Sequence, residues 1–273
     1  MKKRASKSQA SPRVPPRNRN RVQSVERAVS ILRAFRPDAP KWGVTSLSAH
    51  LNLPKTIVTR LLATLEDAGF VEQDEADRTY YLGRSIYELA GAYANRNELI
   101  RISNAFLVQL VAKTGFTAQL SILDGKEIVC LAACESPMVV RAVFYPGLRR
   151  PIHATASGKV LLSGLSDDAA RTLLCDEELP AITSNTITDI GELVKHLTTV
   201  RQQGYATNYG ESIEGLIAVA APVRNYQGQI VAAISLGFPK QFVTDDQIPE
   251  LIQQVVNTAQ QISQRLGAYS NFR

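Results

Sequence analysis

At 273 residues the chain is too long for one small module and suits two domains. Its 45% hydrophobic and 21% charged content is that of a globular protein, and no apolar run approaches the roughly 18 residues that a membrane helix needs. The net charge of +6 is concentrated: residues 1–83 hold 15 Lys and Arg against 8 Asp and Glu, whereas the rest hold 16 against 17, so one domain alone is suited to a polyanion.

Residues 1–21 carry eight basic side chains, no acidic ones and little apolar content, and are expected to form a disordered arm. No apolar stretch follows the basic residues, so the arm is not a secretory signal. By itself it reads either as a solubilising tail or as a DNA-binding arm, with Arg19 and Arg21 placed to reach a minor groove. Ser24 is the expected N-cap of a first helix, whose stripe is Val25, Ala28, Val29, Leu32 and Phe35. Pro37 and Pro40 end it. Thr45 or Ser46 is expected to cap a second helix carrying Leu47 and Leu51, and Asn52-Leu53 to make a turn. Pro54 opens a third helix that runs to about Ala68, before Gly69. Strand-like pieces at 70–71 and 79–82 flank the polar loop 72–78. Three helices and a hairpin in this order predict a winged helix-turn-helix over residues 22–84.

Ile86, Leu89, Ala90 and Tyr93 mark a linker helix within residues 85–97. The second domain, 98–273, opens with a helix bearing Ile102, Phe106, Leu110 and Val111. Period-two runs then predict strands over 117–123 and 127–132, joined by the hairpin signal Asp124-Gly125, and over 138–145, 205–209, 216–223 and 230–238. Helices are predicted over 155–165, 167–174 and 192–203. A last helix runs from the capping-box pair Thr244 and Gln247 to about Leu266. The predicted class is α+β, with a mainly antiparallel sheet in the second domain.

At about 100° per residue, the third helix places Ile57, Leu61 and Leu65 on one face, with Val58 and Leu62 beside them. Thr56, Thr59, Arg60 and Ala63 lie on the opposite face. Short side chains allow close approach to DNA, and an Arg can grip guanine or a phosphate. Lys55 in the first turn, Ser46 at the start of the second helix and Arg78 in the hairpin loop complete the candidate DNA contacts.

Catalytic chemistry finds little support. Ser157-Gly158-Lys159 has His153 where a phosphate loop needs Gly, and Val160 where it needs the Ser or Thr that holds magnesium. There is no Gly-x-Ser-x-Gly elbow, and only His50, His153 and His196 could act as bases. The even separation of Cys130 and Cys134 puts both thiols on one strand face, where zinc with Cys175 or His153 is conceivable. The neighbours Leu131, Ala132 and Ala133 favour inert buried thiols instead. No catalytic residue, metal or cofactor is expected, and the sparse, odd cysteine count fits a reducing cytoplasm. The competing reading is a ligand-binding or enzymatic domain whose basic N-terminal region has a role unrelated to DNA.

The segments VQSVERAVSILRAF, LSAHLNLPKTIVTRLLATLEDAGFVEQD and RTYYLG resemble the DNA-binding half of the IclR family of bacterial regulators. PGLRRPIHATASGKVLLSGL, QQGYATNYGESIEGLIAVAAPVRN and IVAAISLGFP resemble its effector domain, in order and at its spacing. The resemblance spans about Val22 to Leu266. It implies a GAF-like effector domain, a homodimer or homotetramer, a double-stranded DNA operator and no membrane. It also implies control of catabolic or stress genes by a small ligand, often an organic acid. By the same resemblance Ala156 and Ser157 meet that ligand at a helix N-terminal turn, and Tyr209, Ala218, Ser235 and Gly237 form the opposing wall. A helix N-terminus suits an anion, and the serines add hydroxyl donors. Ala218 stands where some relatives carry a more polar residue. Arg141, within the predicted strand 138–145, would either pair a ligand carboxylate or lie at the surface or a dimer interface.

Overall fold

A computed structural model describes residues 22–174 and 179–268. The basic arm with Arg19 and Arg21, and likewise Cys175, lies outside the described residues. The chain divides into two compact units, Met1–Tyr93 and Ala94–Arg273.

The first unit contains α1 (Gln23–Ala34), α2 (Val44–Leu51), α3 (Lys55–Asp67), β1 (Val71–Gln73) and β2 (Tyr80–Leu82), and most of α4 (Arg84–Arg96). Ile31, Leu47, Val58, Leu62 and Val71 form its fully buried core. On α3 the buried line is Val58, Leu62 and Leu65, with Ile57 and Leu61 half-buried beside it. The helix is therefore rolled slightly from the expected face. The two expected caps are displaced, since Val22 and Gly43 precede α1 and α2, and Pro54 stands one residue before α3 instead of opening it. Ser46 lies inside the first turn of α2, and its hydroxyl donates back to the Gly43 carbonyl at 3.0 Å. Asn52 ends α2 in the left-handed region at φ 50°, a conformation that Asn tolerates better than most residues. The hairpin gains an extra bridge, since Trp42 and Tyr80 exchange backbone hydrogen bonds of 2.9 and 2.8 Å.

In the second unit, α5 (Glu98–Thr114) precedes β3 (Thr117–Asp124) and β4 (Glu127–Cys134), followed by β5 (Arg149–Pro151), α6 (Ala156–Ser163) and α7 (Asp167–Leu174). Then come α8 (Ile190–Gln203), β6 (Ala206–Tyr209), β7 (Leu216–Arg224), β8 (Ile230–Pro239) and α9 (Ile248–Arg265). The six strands form one antiparallel sheet in the order β5-β4-β3-β8-β7-β6. Strand alternation divides β8 between two layers. Ala232, Ile234, Leu236 and Phe238 join the core with α5 and α9, while Ala233 joins the core with α6, α7 and α8. Ser235 and Gly237 therefore face the α6 side.

Two expectations fail here. Residues 138–145 are not a strand; the short edge strand is Arg149–Pro151. The two thiols of β4 do not share a face either. A register shift between Leu120 and Ser121 pairs Cys130 with Ser121 and Cys134 with Ala118, and Ser121 and Ala118 point to opposite sides of β3. Among the described residues no helix is long and apolar enough to cross a membrane.

Candidate functional site

In the first unit, Lys55, Thr56, Thr59, Arg60 and Ala63 are all exposed along one side of α3. The Thr59 hydroxyl donates to the Lys55 carbonyl at 2.9 Å, which leaves its oxygen to face outward as an acceptor. Ion pairs of this unit engage Arg36 and Lys41, not Lys55 or Arg60, among the described residues. The loop between β1 and β2 is tightly held. Asp74 accepts from Ala76 N–H at 3.0 Å, and Asp77 accepts from Thr79 N–H at 2.9 Å. Lys41 lies 2.6 Å from Asp74, and that pairing holds the Asp74 carboxyl below its ordinary range. Arg78 sits at the loop's end with φ 58° and is exposed. A helix with a short-chain cationic face is thus followed in the chain by a well-held loop that carries Asp74, Glu75 and Asp77 and exposes one cation, Arg78.

In the second unit, Thr155 caps α6 by accepting from Gly158 N–H at 3.0 Å. Gly158 is required there, because a Cβ would stand 1.8 Å from the Ile152 carbonyl oxygen. Ala156 and Ser157 occupy the first turn of α6 and are buried, and the Ser157 hydroxyl has no hydrogen-bond partner in the described protein. The hydroxyls of Ser121 and Ser235, on the sheet face that α6 packs against, are likewise buried and unpartnered. Thr117, Gly237, Ala218 and Asn208 are successive partners across β3, β8, β7 and β6, so Gly237 and Ala218 keep the face expected of them. These side chains are small and their free groups are hydroxyls, which can donate to a ligand oxygen.

Two residues from the expected set lie elsewhere. Tyr209 pairs with Ile217, which belongs to the α5–α9 core, so Tyr209 points away from α6 and is half exposed. Period-two alternation gives its place to Asn208, which sequence reasoning missed. Asn208 is buried, donates to the Ala154 carbonyl at 2.5 Å, and accepts from Glu211 N–H at 2.8 Å. Arg141 is exposed, and its guanidinium is taken up by Glu135 at 2.8 and 3.0 Å and by the Met138 carbonyl at 3.3 Å.

Lys159, one turn along α6, is 1% exposed and pairs with Glu211, with the Thr207 carbonyl 3.3 Å away. Burial pushes its amine down, and Glu211 opposes that shift. His153 bonds the Pro180 carbonyl at 3.0 Å, and burial lowers its pKa and that of His196. Burial pushes the Cys130 thiol up to about 12, which makes it unreactive. No group of three or more His, Cys, Asp or Glu among the described residues is arranged to hold a metal. A separate groove of about 300 Å³ lies where Lys113 and Phe116 meet Phe242 and Glu250, on the α5–α9 side.

A helix-turn-helix with a wing, followed by an α+β domain with a polar, enclosed sheet face, defines a DNA-binding transcription regulator. Comparison with known proteins gives the family. The IclR helix-turn-helix domain matches residues 24–75, and the bacterial transcriptional regulator IclR C-terminal domain matches residues 91–264. The HTH-type transcriptional repressor AllR of Escherichia coli (strain K12) is 30% identical over 246 residues, which is 90% of this chain and 91% of that protein. The IclR transcriptional regulator from Alicyclobacillus acidocaldarius is 30% identical, with a TM-score of 0.82 over 90% of this chain and 100% of its own. An IclR homolog from Microbacterium hydrocarbonoxydans, complexed with 4-hydroxybenzoate, shares the fold at 23% identity and a TM-score of 0.78, over 89% of this chain and 99% of its own. The chain belongs to the IclR family, whose members are transcription regulators and not enzymes.

Proposed function

We propose that this regulator reads double-stranded operator DNA through Lys55, Thr56, Thr59 and Arg60 on α3. Ser46, Arg78 and the arm residues Arg19 and Arg21 add contacts to the backbone and an adjacent groove. It acts in the cytoplasm as a homodimer or homotetramer, since two recognition helices are needed to read half-sites about one helical turn apart. A small organic acid, bound between the first turn of α6 and the facing surface of β3 and β8, changes the affinity for DNA and so controls catabolic genes. The carrying observation is the trio of buried, unpartnered hydroxyls, Ser121, Ser157 and Ser235. Each such group costs about 1–3 kcal/mol when left unsatisfied, and the start of α6 adds the partial positive charge of a helix N-terminus. The 4-hydroxybenzoate held by the Microbacterium hydrocarbonoxydans homolog is a member of this class of ligand.

The experiment measures retention of genomic DNA fragments by the full-length protein, with and without a panel of carboxylates that includes 4-hydroxybenzoate. At least one acid is expected to shift retention, by about 1–3 kcal/mol of coupling. Ser235→Val and Ser157→Phe are expected to retain the same fragments and lose the response. Variants that respond as the wild type does would refute the placement of the site.

A further inference from the structure

We infer that Phe144 bounds the effector site on the α6 face of the sheet and sets the size of ligand it accepts; this rests on the organic-acid reading of that face. Residues 135–148 leave the sheet after β4 and return at β5 without forming a ladder. Most of the segment is open to solvent, with Val139 93% exposed. Ser136, Ala142 and Phe144 are buried, and the apolar pair Ala142 and Phe144 are 5% and 7% exposed. Ala142 and Phe144 point down onto Gly237. A Cβ built there would come within 2.8 Å of two carbons of the Phe144 ring and 3.1 Å of the Ala142 methyl. Gly237 lies on the same sheet face as Ser235, whose hydroxyl is buried and unpartnered.

The segment is pinned at this point and at its two ends, where Gly147 N–H donates to the Cys130 carbonyl at 2.8 Å, the Leu148 carbonyl accepts from Cys130 N–H at 2.9 Å, and the Ser136 hydroxyl donates to the Gly115 carbonyl. The Thr117 hydroxyl, next to Gly237 across the β3–β8 ladder, donates to the Ala142 carbonyl at 2.8 Å and accepts from Ser136 N–H at 3.0 Å. A phenyl ring therefore rests where the sheet carries no side chain, beside a wall of small residues (Ala218, Ala220, Ala233) and buried polar ones (Thr117, Gln119, Ser121, Ser235). A ligand that bonds Ser157 and Ser235 lies beside this ring and meets its edge, which limits the ligand's length. The missing side chain at Gly237 is what makes room for the ring.

The test uses full-length protein and two graded probes, benzoate and 2-naphthoate, with binding measured by calorimetry. Phe144→Ala is expected to lower the ratio of the naphthoate Kd to the benzoate Kd by roughly tenfold, and Phe144→Leu to lower it by less. Independently of any ligand, Gly237→Ala is expected to speed amide exchange at residues 141–145 by roughly tenfold while amides of β3 and β7 keep their rates. An unchanged ratio in both Phe144 variants, or unchanged exchange in Gly237→Ala, overturns this role of Phe144. If neither acid binds any form, the organic-acid reading fails, and the exchange rates alone decide whether Phe144 is seated on Gly237.

Discussion

Arg60 shows how much a single exposed residue can carry. It projects from the side of α3 opposite Val58 and Leu62, so its loss opens no cavity in the core. Arg60→Ala is expected to weaken operator binding by about 1–3 kcal/mol and to blur preference at one base position. Thermal stability should stay within the experimental error of the wild type. Equal affinity for the selected operator would remove Arg60 from the contacts. The two buried histidines make a different prediction. Burial lowers the pKa of His153 and of His196 below the ordinary value of 6.5, with Lys159 adding to both shifts and Glu211 and the Pro180 carbonyl opposing that of His153. The folded chain then binds fewer protons than the unfolded one just below that value. Stability is complete above about pH 6.5 and falls as the pH drops through it. Melting temperature should decline between about pH 7.5 and 5.5, and His153→Gln with His196→Gln should flatten that decline. A melting temperature independent of pH in the wild type would contradict the assignment.

At the scale of elements, α6 is tied to the segment after β6 by one buried ion pair, Lys159 with Glu211. Removing one member leaves a charge stranded in the interior. Glu211→Gln is expected to cost about 3–5 kcal/mol in denaturant unfolding, whereas the double variant Lys159→Met with Glu211→Leu is expected to cost less. A double variant as unstable as the sum of the singles would show that the pair is not coupled. This pair also marks a limit of reading the chain. Lys159 and Glu211 are 52 residues apart, and no local spacing connects them. Helices fared better: α6 and α7 fall within the ranges expected from the sequence, 155–165 and 167–174. The segment 138–145 does alternate in burial near its end, with Ala142 and Phe144 inside and Val143 outside. That alternation is what a strand would show, but no neighbouring strand meets its backbone. Tyr209 and Asn208 differ by a single step of a period-two pattern. Which of the two faces α6 depends on the pairing of β6 with β7, which the residues themselves do not encode.

For the whole molecule, the charge distribution makes a separate prediction. The eight basic residues of the arm are suited to contacts with phosphate and little else. Deleting residues 1–20 should lower DNA affinity and make the dependence of log K on log salt shallower, while the selected sequence stays the same. An unchanged slope would identify the arm as a passive tail. The central claim is that one chain reads DNA with α3 and senses an acid beneath α6. The measurement that tests it most directly is anisotropy of a labelled, selected operator fragment with full-length wild type, Arg60→Ala and Ser235→Val, titrated with and without the responsive carboxylate. The wild type should bind and respond, Arg60→Ala should bind weakly, and Ser235→Val should bind as the wild type does but ignore the acid. Wild-type affinity in Arg60→Ala together with a full response in Ser235→Val would contradict the account.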